Sequence, residues 1–121
     1  MCRFLTDAAP DSPFTASFDI PVPAPGRYDL WVRERTLSQM PPSRYRVGAG
    51  PWIDVAPDLP PADAVRLDWW SPIFAGNDLA WYKYGTIEVT GEVAQITIEA
   101  LPDTSNRVEK HIDAVRLEVS P

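Results

Sequence analysis

A chain of 121 residues, 45% apolar and with five tryptophans, has the length of one domain and enough apolar material for a core of its own. At this size folding removes roughly two-thirds of the unfolded surface from water. A formal charge of −6 and a pI near 4.6 are the wrong sign for a phosphate backbone or an anionic membrane surface, and no apolar run approaches the roughly 20 residues that span a bilayer.

Cys2 is the single cysteine, so the fold stands on its core rather than on disulfides. Met1-Cys2-Arg3-Phe4-Leu5 is too short for the apolar part of a signal peptide. The expectation is one domain, residues 1–121, cut from a longer protein.

Fourteen prolines argue against a helical domain, because proline removes an amide donor and clashes in a helix interior. Period-two alternation dominates instead. In Ser17-Phe18-Asp19-Ile20-Pro21-Val22 the residues Phe18, Ile20 and Val22 share a face. Pro23-Ala24-Pro25-Gly26 makes a turn. From Arg27 to Arg33, Tyr28, Leu30 and Val32 face one way, and Asp29 and Trp31 the other. The two segments together read as a β-hairpin.

Tyr45 and Val47 alternate with Arg44 and Arg46 in the next strand. A short strand at Trp52-Ile53-Asp54-Val55 follows Gly48-Ala49-Gly50-Pro51. Residues 56–80 are the least regular, and Ala62 to Leu67 offers a single turn of helix at most. Asp63-Ala64-Val65-Arg66-Leu67 is echoed by Asp113-Ala114-Val115-Arg116-Leu117, with unlike flanks. This reads as coincidence or a shared strand-start pattern rather than a repeat.

Strands follow at Trp81 to Val89, Ala94 to Glu99 and Ile112 to Val119. About seven to nine short alternating strands, with no βα units, predict an all-β antiparallel sandwich of the jelly-roll type.

The segment from Phe18 to Arg33 resembles the strand–proline–glycine–tyrosine–strand hairpin of jelly-roll carbohydrate-binding modules, families six and thirty-five. Trp81-Tyr82-Lys83-Tyr84-Gly85 and Ile112-Asp113-Ala114-Val115-Arg116-Leu117 are similar to the golvesin C-terminal-like domain. The resemblance spans roughly residues 16–119 and implies a jelly-roll that binds carbohydrate. Modules of families six and thirty-five open with closely spaced glutamates that help hold a structural calcium. Met1 to Phe14 contains no Glu, and no cofactor is expected. Asp113 shares strand parity with Val115, Leu117 and Val119, so its carboxylate must be satisfied by a calcium ion, backbone N–H groups or an arginine.

A sugar site needs flat aromatic faces and a few placed polar groups. Trp69 and Trp70 cannot both enter one core if they lie on a strand, because neighbours face opposite ways. They form a stacking platform, or one caps the sandwich end while the other packs under a loop. Trp52 lies near Tyr45, Arg44 and Arg46, where arginine forks onto an acidic sugar or simply lines a solvated edge. Trp31 lies on an outer sheet face with Arg33, or under an arginine laid across it. Trp81 reads as core. Asn77, Asp78 and Asn106 suit sugar hydroxyls and equally suit turns. His111, the only histidine, reads as a surface residue.

No phosphate loop, metal-ligand spacing or nucleophile elbow points to an enzyme. The functional expectation is a non-catalytic carbohydrate-binding module of a larger secreted bacterial protein. It would hold an attached polysaccharide-degrading domain at its substrate. Trp69, Trp70 and Trp52 would be the platform, with Tyr45, Arg44 and Asn77 at the rim. The expected partners are an oligo- or polysaccharide and the attached catalytic domain, not nucleic acid or membrane. The alternative is a structural spacer sandwich packed against a neighbouring domain or subunit.

Overall fold

The computed structural model describes residues 2–6, 14–36, 42–66, 78–102 and 108–121. Every regular element among them is a strand, in keeping with the alternation and the proline content. In chain order they are β1 (Cys2–Thr6), β2 (Phe14–Pro21), β3 (Gly26–Thr36), β4 (Ser43–Val47), β5 (Ile53–Asp54), β6 (Ala62–Arg66), β7 (Asp78–Val89), β8 (Val93–Ala100) and β9 (Val108–Val119). Two antiparallel sheets result, ordered β1-β9-β3-β7-β6 and β2-β8-β4-β5.

The pairs β1·β9, β2·β8, β3·β7 and β4·β5 nest as the rungs of one long double strand. Rolling it up lays β3 against β9 and β4 against β8. That is the jelly-roll form of an all-β sandwich. β6 is added at an edge, beside β7.

The expected hairpin of residues 17–33 is not one. β2 pairs with β8, while β3 pairs with β7 and β9 in the other sheet. Phe18, Ile20 and Val22 therefore share the interior with Tyr28, Leu30 and Val32 from opposite layers. The alternation is the same in either arrangement. Pro21, Pro23 and Pro25 offer no amide to a ladder between the two strands, which favours the crossing. The Tyr28 hydroxyl pins the turn by donating to the Ala24 carbonyl at 2.5 Å.

Ala62 to Arg66, expected as a turn of helix at most, is strand β6. Asp63 has φ of 49°, and the register shifts between Ala62 and Val65, which marks a bulge. Its echo Asp113 also sits at a register shift, skipped between the pairs Glu34↔Ile112 and Arg33↔Ala114. Both copies are strand segments of one sheet with the Asp at an irregularity.

A second bulge shapes the core. The pairs Trp31↔Lys83 and Leu30↔Gly85 skip Tyr84. Apart from Leu79, the buried positions on β7 are Ala80, Tyr82 and Tyr84 up to the bulge, then Ile87 and Val89 after it. They meet Leu30, Val32, Ile96 and Ile98 in one cluster. Tyr45, expected at a sugar-binding rim, belongs to this cluster and is 2% exposed. It takes the inner side of β4 with Val47, opposite Arg44 and Arg46, because side chains alternate. Its ring abuts Gly85, where a methyl group would overlap the tyrosine hydroxyl and lie 3.2 Å from Cζ.

Gly85→Ala should therefore destabilise the fold by about 1–3 kcal/mol through overpacking. Adding Tyr45→Phe should recover part of the loss, read by urea unfolding as a double-mutant cycle. A Gly85→Ala loss that is the same with and without the Tyr45→Phe change would refute the contact.

Candidate functional site

The alternation of β3 runs Tyr28, Leu30, Val32 and then Glu34, so a carboxylate follows three core residues onto the inner side. Glu34 is 1% exposed. A buried carboxylate needs hydrogen bonds to be tolerated, and the Tyr84 hydroxyl donates one to Oε2. These two residues lie on a cavity of about 440 Å³ at one end of the sandwich. Tyr82, Ser43 and Leu101 line it with them, and the segment after β5 adds Val55, Ala56, Pro57 and Leu59. Pro42 and Asp54 complete the described lining. Backbone bonds hold the two flanks in place: Val55 N–H donates to Ser43 at 2.9 Å, and Leu101 N–H donates to Pro42 at 2.8 Å.

Volume and lining are those of a small-molecule site: mostly apolar walls with a few convergent polar groups. Among the described lining residues two are acidic and none is basic. Burial, and then the negative charge of Glu34, pushes the Tyr84 hydroxyl well above the usual tyrosine range. Tyr84 thus remains a donor to Glu34.

Trp69, Trp70 and Asn77, and likewise Asn106, lie outside the described residues. The strand ends that bracket residues 67–77 are placed, however. Arg66 pairs with Asp78, and Asp78 pairs with Thr36, two positions beyond Glu34 on β3. Arg66 and Asp78 therefore end their strands at the cavity end of the larger sheet.

Trp52, Arg44 and Arg46 do come together, on the outer face of the smaller sheet. The guanidinium carbons lie 4.5 Å and 4.7 Å from the Trp52 ring centroid. Arg44 forks onto the protein's own carboxylate: Nε lies 2.7 Å and Nη2 2.5 Å from Oε1 of Glu99. Neither Trp52 nor Arg44 lines the cavity.

The outer face of the larger sheet carries Trp31 and Trp81, both half-buried. Arg116 lies across them, 5.8 Å and 4.3 Å from the ring centroids. Asp29, on the Trp31 face of β3, has polar partners on β7. Thr86 donates to Asp29 at 2.9 Å, with Lys83 3.4 Å away. Burial would raise the Asp29 carboxyl, but these two partners hold it below the usual range.

Asp113 does not face the core as its parity with Val115 suggested. The bulge puts Ile112 inside at 1% exposure and turns Asp113 towards Arg33, 3.5 Å away. Of the partners the sequence allowed, an arginine is the one in contact with it. Among the described residues no cluster of three His, Cys, Asp or Glu side chains suits a metal ion.

Glu34 was detectable from its parity with Val32. Tyr82 and Tyr84 were visible as aromatics but carried no sign of facing a cavity, because that depends on the β7 bulge. No family model matches the chain, and no curated protein or solved structure matches it significantly.

The Tyr84–Glu34 bond has a pH signature. Folded Tyr84 keeps its proton where the unfolded chain releases one, so its stabilisation is full below about pH 10 and declines above it. Tyr84→Phe should cost roughly 1–3 kcal/mol at neutral pH, since Glu34 loses a buried donor. It should also flatten the alkaline fall in stability by up to about 1.4 kcal/mol per pH unit. Urea melts between neutral and strongly alkaline pH measure both, and an unchanged alkaline slope would refute the assignment.

Proposed function

We propose that this chain is a non-catalytic carbohydrate-binding module that holds an attached carbohydrate-active domain at its polysaccharide substrate. The observation that carries this reading is the cavity of about 440 Å³ at the end of the sandwich. Its tyrosine and aliphatic walls suit the C–H faces of a sugar ring, and Glu34, Ser43 and Tyr84 suit its hydroxyls. Trp69 and Trp70 belong to the reading as the stacking residues that the sequence offers.

In this reading Trp52 and Arg44 lie apart from the primary site, because they are engaged with each other and with Glu99. The module belongs to a larger secreted protein and acts by raising the local substrate concentration of its neighbour.

Ala56 is exposed and lines the cavity, so a larger side chain there fills the site without disturbing the core. Ala56→Trp should weaken binding to an oligosaccharide panel by about tenfold or more. Its stability should stay within roughly 0.5 kcal/mol of the parent, as for other surface changes. Trp69→Ala or Trp70→Ala should likewise lower retention on insoluble polysaccharide without lowering the melting temperature. An oligosaccharide panel that leaves every amide resonance of the parent domain unmoved rejects the reading.

A further inference from the structure

We propose that the outer face of the smaller sheet carries a second site, where Arg46 receives an oxyanion borne by a glycan, a carboxylate or a sulfate ester. The site is separate from the end cavity. It takes from the carbohydrate reading only the class of molecule that carries the anion.

Two arginines leave β4 on this face, and only one of them meets a carboxylate. The register lays two ranks across the sheet: Thr15, Glu99 and Arg44 in one, Ser17, Thr97 and Arg46 in the next. In the first rank Glu99, 5% exposed, receives Arg44, with Nε 2.7 Å and Nη2 2.5 Å from its Oε1. In the second rank Thr97 stands where the glutamate would be, and its Oγ1 lies 3.1 Å from Oγ of Ser17. No carboxylate among the described residues lies within ion-pair distance of Arg46. The residues in register with it on β2 and β8, and its neighbours on β4, are all described.

Trp52 holds this arginine in place. The pairs Arg44↔Asp54 and Tyr45↔Ile53 bring the next residue, Trp52, beside Arg46. Its ring centroid is 4.7 Å from the Arg46 guanidinium carbon and 4.5 Å from that of Arg44. Stacking on the ring restrains a long side chain, so less freedom is lost when a ligand binds. The Arg46 Nε is enclosed and has no hydrogen-bond partner. The two terminal nitrogens are left to fork onto two oxygens of one anion. A neutral hydroxyl offers the fork one oxygen and no charge. The half-buried Thr97 and exposed Ser17 hydroxyls lie in the same rank, where they suit the hydroxyls of the sugar that carries the anion. Arg44 with Glu99 shows, one rank away, the pairing that an incoming anion repeats at Arg46.

The test is a titration of the isotope-labelled domain with trimers of galacturonic acid and of sulfated galactose. The methyl-esterified and unsulfated trimers are their neutral counterparts. Physiological ionic strength screens the long-range repulsion between an acidic domain and an acidic glycan. The Trp52 indole and the Thr97 amide report this site, and the Val55 and Leu59 methyls report the cavity. At least one anionic trimer should move Trp52 and Thr97 and bind about tenfold more tightly there than its neutral counterpart. The arm that responds identifies the oxyanion. Arg46→Gln should remove this preference, and Arg46→Lys should restore only part of it, because the charge returns without the fork. Thr97→Glu should also abolish it, by giving Arg46 an internal carboxylate as Glu99 does for Arg44.

If Arg46→Gln does not fold, the preference of the parent domain for anionic trimers and its loss in Thr97→Glu decide the matter. Neutral trimers moving Trp52 as tightly as the anionic ones would overturn the proposal, as would parent-like affinity in Arg46→Gln or Thr97→Glu. Acetate or inorganic sulfate binding as tightly as the trimers would overturn the glycan as ligand. Sugars that move Val55 and Leu59 but never Trp52 would overturn this site and leave the carbohydrate reading standing. No response of either set to any sugar would overturn both.

Discussion

The contact on which most of this molecule depends is the ring of Tyr45 seated against Gly85. One comes from the smaller sheet and the other from the larger, so the contact sets how closely the layers approach. A methyl group at Gly85 would leave no room for the tyrosine hydroxyl. The glycine sits at a bulge whose extra residue is Tyr84, with its ring centroid 6.2 Å from that of Tyr45. The bulge also lets Tyr84 enter the interior alongside Tyr82, from where its hydroxyl reaches Glu34. Core packing and the polar pair of the cavity are therefore consequences of one local irregularity in β7.

The same strands that build the core sort the charges. Arg33, Arg44 and Lys83 are adjacent in sequence to residues that are buried or line the cavity, and the pleat sends them outward to Asp113, Glu99 and Asp29. Pairs such as Arg27–Glu88, whose side chains are largely exposed, add little to stability because water and salt screen them. Arg44–Glu99 is more shielded, and the Trp52 ring packs on its guanidinium. An acidic protein thus commits these strand cations to outer-face carboxylates.

Side-chain parity was readable directly where strands are regular. Phe18, Ile20 and Val22, then Tyr28, Leu30 and Val32, all point inward as the alternation requires. Arg44, Tyr45, Arg46 and Val47 divide between the faces in the same way, although the alternation also argued against the rim position expected for Tyr45. Glu34 was equally legible as a polar residue in a core-facing series. Asp113 was not, because a one-residue bulge reverses parity and depends on how β9 meets β3. The supposed hairpin of residues 17–33 shows a second kind of ambiguity. Two alternating strands joined by a proline-rich turn look the same whether they pair side by side or face each other across a core.

Unaided, the order of residues determined the all-β character, the layered architecture and, away from bulges, which side chains face inward. These follow from the two-residue period of an extended chain and from proline, both local properties. Only the tertiary structure decided which strands pair, where the register slips, and that Glu34, Ser43 and Tyr84 converge on one cavity. Those outcomes come from contacts such as Phe14 with Ala100 and Glu34 with Tyr84, between residues far apart in the chain. Closing the two sheets on each other selects one pairing among several that the same local pattern allows.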